Sequence, residues 1–269
     1  MLAVLSYAPL LLLGAATGFT AGLLGVGGGM LLVPFLTMLF TLQEVPYEHV
    51  VHMAIATSLA TIMFTSVSSV RAHHVRGAVL WHVVRVLAPG ILLGSLVGAQ
   101  VAGSLPTRWI ALFFALFVGG SAVQMLFDRK PQPHRELPGK AGMFGVGTAI
   151  GAVSSLVGAG GGFLSVPFMA WCNVGMHNAV ATSAALGFPI ALAGTVGYIV
   201  AGARETGLPP GALGFIHLPA LATVALASML TAPLGARTAH ALDMRRLKRV
   251  FALLLFALAG YMLYKGLAR

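Results

Sequence analysis

Residues 18–35 read GFTAGLLGVGGGMLLVPF, and residues 151–168 repeat the pattern as GAVSSLVGAGGGFLSVPF. Each copy carries a run of three glycines followed by Val-Pro-Phe. The shared residues are Gly27, Gly28, Gly29 and Pro34 in the first copy, and Gly160, Gly161, Gly162 and Pro167 in the second. Three glycines closely followed by a proline do not continue a straight helix. The pattern therefore predicts a helix break in each copy.

A second pair of matching segments follows the first. Residues 52–58 read HMAIATS and residues 177–183 read HNAVATS. Two matched pairs in the same order indicate that the chain is one unit written twice. In membrane transporters, paired helix breaks at corresponding positions of two repeats mark the substrate site.

The composition is that of a membrane protein. The chain is 58% hydrophobic and 8% charged, with a mean hydropathy of +0.93, and apolar runs of about 20 residues recur along it. A net charge of +10 does not indicate nucleic acid here, because the basic residues lie in the short connections between apolar runs. We expect a lipid bilayer as the surroundings and no nucleic-acid partner. The single cysteine, Cys172, excludes a disulfide framework.

We predict an all-α polytopic membrane protein made of two repeats, residues 1–127 and 141–269, joined by a polar linker at 128–140. Each repeat contains a glycine-broken helical segment and three membrane-spanning helices. The expected spans lie near 50–70, 78–104, 108–127, 177–201, 213–240 and 247–266. The uncharged first 42 residues would measure roughly 63 Å as one helix, whereas the hydrocarbon core is about 30 Å thick. The broken segment therefore bends, as a re-entrant loop or as a full hairpin.

The distribution of Lys and Arg indicates how the repeats are oriented. If each broken segment crosses the membrane once, the two faces carry ten and six basic residues. If each segment returns to its starting face, the division is twelve against four, and the four are Arg108, Arg204, Lys265 and Arg269. The second division fits the positive-inside rule better. It predicts inverted repeats, with both termini outside.

The two breaks predict a binding site for an anion. A short helix that restarts near Met30 or Phe163 would point its positive N-terminal end and its free N–H groups at the break. Inversion of the repeats would bring the two ends together near the midplane. The alternative is that the glycines only allow close helix packing. We expect the glycine triplets to bind the anion and Pro34 and Pro167 to belong to the helix breaks.

Polar side chains near the breaks extend this hypothesis. Hydroxyl donors at matching positions are Thr57, Ser58, Thr182 and Ser183, with Asn178 as a weaker candidate. The alternative is that these hydroxyls bond back to their own helix.

Basic Arg237 is predicted to contact the anion at the inner mouth or to extend to the lipid headgroups. Arg76 and Trp81 are interpreted as an interfacial anchor. His52 and His177 are expected near helix starts, and we predict no metal site and no cofactor.

The acidic residues favour an anionic substrate by their positions. All six lie in predicted connections or at span ends: Glu44, Glu48, Asp128, Glu136, Glu205 and Asp243. Carriers of cations or protons usually keep a carboxylate within the membrane. The substrate is therefore expected to be an anion.

Several segments resemble the TauE/SafE family, also called the sulfite exporter or toluene-sulfonate uptake permease family. They are GLLGVGGGMLLVP, SLVGAGGGFLSVP, IATSL, VATSA, the His73/His74 stretch with Gly77 and Trp81, and GARTAHALDMRRLKRVFALLL. The resemblance covers nearly the whole chain. It implies transport of a small anion, such as sulfite or a sulfonate, across a bacterial inner membrane.

The leading hypothesis is a secondary transporter, with export favoured, that works by alternating access. An anion channel, a non-transporting membrane scaffold and an intramembrane enzyme are the alternatives. The enzyme is disfavoured because the chain lacks GxSG and HExxH elements. Whether the protein forms a homo-oligomer is left open.

Overall fold

The computed structural model describes the backbone of residues 2–24, 28–127, 135–238 and 244–268, and the side chains of these except 2–7, 23–24, 236–237 and 244–248. Within that part, the chain forms helices joined by short connections and one small hairpin. The helices are α1 (Leu2–Leu24), α2 (Gly29–Leu42), α3 (Tyr47–Val75), α4 (Trp81–Ser104), α5 (Thr107–Phe127), α6 (Lys140–Val157), α7 (Gly162–Trp171), α8 (Met176–Gly202), α9 (Leu218–Thr238) and α10 (Met244–Leu267). Strands β1 (Ala212–Leu213) and β2 (Ile216–His217) pair antiparallel between α8 and α9.

Seven of the described helices are long and apolar enough to cross a membrane. The prediction of an all-α, multi-pass membrane protein is thereby confirmed. The short helices α2 and α7 follow the glycine breaks. With 10 residues, α7 measures about 15 Å, which is half the thickness of the hydrocarbon core.

The ends of the helices lie close to the predicted spans. Helix α5 ends at Phe127 and α6 begins at Lys140, so the predicted linker at 128–140 lies between these two helices. Residues 128–134 lie outside the described part. The two largest differences are five residues each, at the end of α3, which continues to Val75, and at α9, which begins at Leu218 and not near residue 213. The start of α9 has a structural explanation. The reason is local, because residues 211 and 214 are glycines with positive φ that turn the chain into the β1–β2 hairpin.

Helix pairing follows an exchange between the two halves of the chain. The first helix of each half packs along the fourth helix of the other half. Helix α1 therefore pairs with α9, and α6 pairs with α4. Helix α3 packs on its counterpart α8, and α5 packs on α10. Such an exchange is what a two-fold relation between repeats produces. The opposite orientation of the repeats in the membrane stays a prediction.

Glycines let the exchanged helices approach closely. A methyl group on Gly94 of α4 would collide with the carbonyl oxygen of Thr148 in α6. In the same way, a methyl group on Gly18 of α1 would collide with the backbone of Ser228 in α9. Close backbone approach through small residues is the usual way in which membrane helices pack.

The contact at Gly94 predicts a loss of stability on substitution. Gly94→Ala is expected to lower the free energy of unfolding by about 1–3 kcal/mol, because the added methyl group forces α4 and α6 apart. Gly120→Ala in α5 is the matched control, since its methyl group would meet no atom within 4 Å and alanine favours a helix. Thermal unfolding in detergent measures both. Equal melting temperatures for the two variants would contradict the assigned packing.

Candidate functional site

The two breaks share one backbone geometry. Gly28 caps the start of α2 with φ 54° and ψ −18°, and Gly161 caps the start of α7 with φ 75° and ψ −4°. These left-handed conformations favour glycine, because a Cβ atom is strained there. The helices restart at Gly29 and Gly162, one residue before the predicted Met30 and Phe163. Gly27 lies outside the described residues.

The prolines do not mark the interruption. Pro34 and Pro167 lie inside α2 and α7, in the second turn of each helix. Each proline removes the hydrogen bond to the carbonyl four residues earlier, yet the helix continues past it. The break itself is made by the glycines. This differs from the sequence prediction, which assigned the prolines to the break.

The two breaks touch each other. A methyl group on Gly29 would collide with the carbonyl oxygen of Gly158, the left-handed residue that ends α6. The same carbonyl accepts a hydrogen bond of 2.8 Å from the Ser58 hydroxyl of α3. The start of α2 and the end of α6 therefore meet at a buried contact that Ser58 stabilises.

A cavity of ≈ 80 Å³ lies beside the second break, between the two halves of the chain. Helices α1 and α3 of the first half line it together with Gly160 of the second break and helices α8 and α9 of the second half. His73 and Arg76 lie at the end of α3. Its hydroxyl-bearing side chains are Thr65, Ser66, Ser68, Ser69 and Ser183. The exposed position of Arg76 places the open end of the cavity at the C-terminal end of α3.

The lining combines small apolar residues with polar side chains, which are hydroxyls, His73 and the cationic Arg76. The N–H groups of Gly160, Gly161 and Gly162 have no acceptor in the described part of the chain. They belong to the positive end of α7, where anions are stabilised. Among the residues that the structure describes, no carboxylate lines the cavity. The four acidic residues that the structure describes are exposed and lie in connections or in the first turn of α3: Glu44, Glu48, Glu136 and Glu205.

Two of the predicted binding residues line this cavity, Gly160 and Ser183. The Ser183 oxygen accepts a hydrogen bond of 2.8 Å from the hydroxyl of Ser165 in α7. The same Ser165 hydroxyl lies 3.0 Å from the carbonyl oxygen of Gly161, so these contacts link Ser183 to the start of α7. Ser183 is only 1% exposed, so a group bound to it would be largely removed from water.

Thr57 and Thr182 make a matching pair of contacts elsewhere. The Thr57 oxygen accepts from the N–H of His217, 3.1 Å away, at the start of α9. The Thr182 oxygen accepts from the N–H of Leu80, 3.0 Å away, at the start of α4. Each threonine thus caps a helix of the other half. Both are fully buried and neither lines the cavity, so binding of substrate by these two hydroxyls stays a prediction.

Three other residues from the sequence analysis, Asn178, His52 and His177, lie apart from the cavity. Asn178 donates from Nδ2 to the carbonyl oxygen of Ala78, 3.2 Å away. His52 is buried, with Nε2 3.1 Å from the carbonyl of Ala102 at the end of α4. His177 is exposed in the first turn of α8. The side chain of Arg237 lies outside the described residues.

Two cavity residues were missed at the sequence level, His73 and Arg76. Arg76 was interpreted as a membrane anchor, and the structure adds a position at the cavity. The Nδ1 atom of His73 is buried without a hydrogen-bond partner among the described residues. A signal for both was present, because residues 66, 69, 73 and 76 follow one another at spacings of three, four and three residues. Residues at that spacing share one face of a helix.

Comparison with known proteins agrees with this architecture. The family model described as sulfite exporter TauE/SafE matches residues 10–262. The chain belongs to the sulfite exporter TauE/SafE family. A "Probable membrane transporter protein" of Haemophilus influenzae is 35% identical over 257 residues, which cover 95% of this chain and 97% of that protein. The "Probable membrane transporter protein YunE" of Bacillus subtilis is 29% identical over 218 residues, which cover 74% and 80%.

No solved structure matches the chain. Membership of the TauE/SafE family and the names of these relatives support a membrane transporter. The helical, multi-pass architecture described above agrees with that function.

The threonine caps yield a second prediction. Thr57→Val is expected to lower the free energy of unfolding by about 1–3 kcal/mol, because the buried N–H of His217 loses its acceptor. Thr57→Ser keeps the oxygen and is expected to retain most of the stability. Thermal unfolding of both variants, and of the matching pair at Thr182, tests this. If the valine variant melts no lower than the serine variant, the cap is not what holds the start of α9.

Proposed function

We propose that this TauE/SafE protein is a secondary transporter of a small oxyanion, such as sulfite or an organosulfonate, across the bacterial inner membrane. The observation that carries the proposal is the cavity between the two halves, whose described lining offers hydroxyl and N–H donors with Arg76 and includes no carboxylate. A buried anion is stable only when donors or a cation replace its water. This lining supplies both.

The size of the cavity suits a small oxyanion. One water molecule needs about 10–15 Å³ on the same measure, so the ≈ 80 Å³ cavity has room for a small ion and a few waters. A guanidinium group matches the oxygens of an oxyanion and donates two parallel hydrogen bonds. Arg76 is the cation in position to do so, and Ser183 with the N–H groups near Gly160 would bind the opposite side of the ion.

The place of the cavity favours a carrier over a scaffold. A scaffold needs no polar space between its halves, whereas an alternating-access carrier binds its substrate there. The two halves also meet at the contact between the breaks, at Gly29 and Gly158, two residues before the Gly160 that lines this space.

The proposed direction is export. In the proposed topology, the end of α3 with Arg71 and Arg76 faces the cytoplasm and both termini face outward. The cavity would then be open to the cytoplasm, which is the state that loads an exported anion. The family description, sulfite exporter, also supports export.

Removal of the cavity cation tests the binding role of Arg76. Arg76→Gln is expected to raise the KM for sulfite about ten-fold or more in counterflow with proteoliposomes, because a charged hydrogen bond contributes about 1.5–3 kcal/mol. Arg76→Lys should retain part of the affinity. Arg71→Gln is the matched control, because Arg71 is exposed on the same helix and does not line the cavity. Equal KM values for the two glutamine variants would remove Arg76 from the site.

The charge of the substrate can be tested by placing a carboxylate in the cavity. Ser69→Asp is expected to reduce sulfite counterflow at least ten-fold, because the new negative charge repels an anion at close range. Ser69→Asn has a similar size without charge and should retain most of the transport. Increased transport of a cation by the aspartate variant, or unchanged sulfite flux, would contradict an anion site.

A further inference from the structure

Each residue of the cavity has a counterpart in the other half. Alignment on the glycine triplets pairs Ala21 with Ser154 and Gly22 with Ser155. Alignment on the Ala-Thr-Ser segments pairs His73 with Tyr198, and alignment of Gly-Ala-Arg with Gly-Ala-Gln pairs Ala232 with Ser95. The threonine caps support these pairings, because equivalent threonines contact equivalent helix starts.

The counterpart region is closed, whereas the cavity is open. Tyr198 is fully buried and donates from its hydroxyl to the carbonyl oxygen of Ser155, 3.2 Å away. In the open half, the corresponding residues His73 and Gly22 both line the cavity. Gln100 adds a second closing contact, because its Nε2 donates to the carbonyl of Gly197, 2.7 Å away. The same elements therefore enclose a space on one side and exclude it on the other.

Buried hydroxyls without partners lie in this closed region. Ser95 of α4 is 0% exposed and Ser154 of α6 is 2% exposed. Neither hydroxyl has a hydrogen-bond partner among the described residues. Each lies close to a glycine of the second broken segment, Ser95 against Gly151 and Ser154 against Gly161. Unpaired buried hydroxyls are rare in folded proteins and call for an explanation.

Their counterparts suggest the explanation. Ala21 and Ala232, which correspond to Ser154 and Ser95, both line the open cavity. An exchange of roles between the two halves would bring the two serines to the wall of a second cavity. There they would donate to an oxyanion, and the hydroxyls that lack a partner in the closed state would gain one.

We propose that Ser95 and Ser154 form a second oxyanion half-site, which opens to the opposite face of the membrane, and that the hydrogen bond from Tyr198 to Ser155 is its gate. This inference rests on the proposed function, alternating access by an anion carrier. In the state described here the gate is closed and the His73 side is open. In the other state Tyr198 leaves the Ser155 carbonyl, α8 separates from α4, and the space around His73 closes.

The gate is tested by the accessibility of single cysteines. In a Cys172→Ala background, Ser69→Cys reports the open cavity and Ser154→Cys reports the second half-site. A membrane-impermeant methanethiosulfonate reagent is applied to each face of oriented vesicles. We expect the two cysteines to react from opposite faces. Tyr198→Phe should accelerate reaction at Ser154→Cys about two- to ten-fold, which is the shift that loss of one hydrogen bond produces.

Tyr264→Phe is the matched control, because Tyr264 is exposed on α10 and should leave both rates unchanged. Reaction of Ser69→Cys from one face only in the Tyr198→Phe protein shows that the variant is folded, because an unfolded protein would not confine the reaction to one face. A second measurement is the KM for sulfite on each face. Ser154→Ala should raise it on the face opposite the cavity and leave it unchanged on the cavity face.

The outcomes separate the gate from the function. If the unaltered protein moves sulfite but Ser154→Cys reacts from neither face in both tyrosine backgrounds, the second half-site is overturned and the transporter stands. The same conclusion follows if both cysteines react from one face. If the unaltered protein moves no sulfite or sulfonate in counterflow, the proposed function fails first.

Discussion

The structure depends on one constraint, which is that a backbone inside a membrane must find its hydrogen-bond partners within the protein. The glycine breaks interrupt two helices and free their terminal polar groups. The first half covers part of the second break, because Ser58 donates to the carbonyl of Gly158. The N–H groups of residues 160–162 are left without an acceptor among the described residues, and Gly160 lines the cavity. The breaks are tolerable only because the two halves enclose them together.

The same dependence holds at the helix starts. The Thr57 hydroxyl accepts a hydrogen bond from the backbone at the start of α9, and the Thr182 hydroxyl accepts one at the start of α4. Each half therefore supplies hydrogen-bond acceptors for helix starts of the other. The pairing of α1 with α9 and of α6 with α4 also joins helices from different halves. Two repeats that are separate in sequence thus form one structural unit. A rocking motion between them would have to act through these shared contacts.

The cavity lies on one side of a nearly repeated arrangement because the side chains beyond the repeated motifs differ. His73 and Tyr198 occupy matching positions on α3 and α8. Tyr198 reaches the backbone of α6 and fills its side, whereas His73 leaves an open space. A shared backbone plan can therefore hold an open and a closed half-pathway at once.

The sequence by itself determined the repeat, the two breaks and the approximate helix ends. These features depend on local chemistry, such as the left-handed conformation that favours glycine at Gly28 and Gly161 and the apolar length that spans a membrane. Only the tertiary structure decided which polar residues meet. It placed Ser183 and Arg76 at the cavity and turned Thr57 and Thr182 into helix caps, because a side chain's partner depends on packing between distant helices. Thr182 and Ser183 are neighbours in sequence but have different surroundings in the structure. The amino-acid sequence alone does not predict this difference.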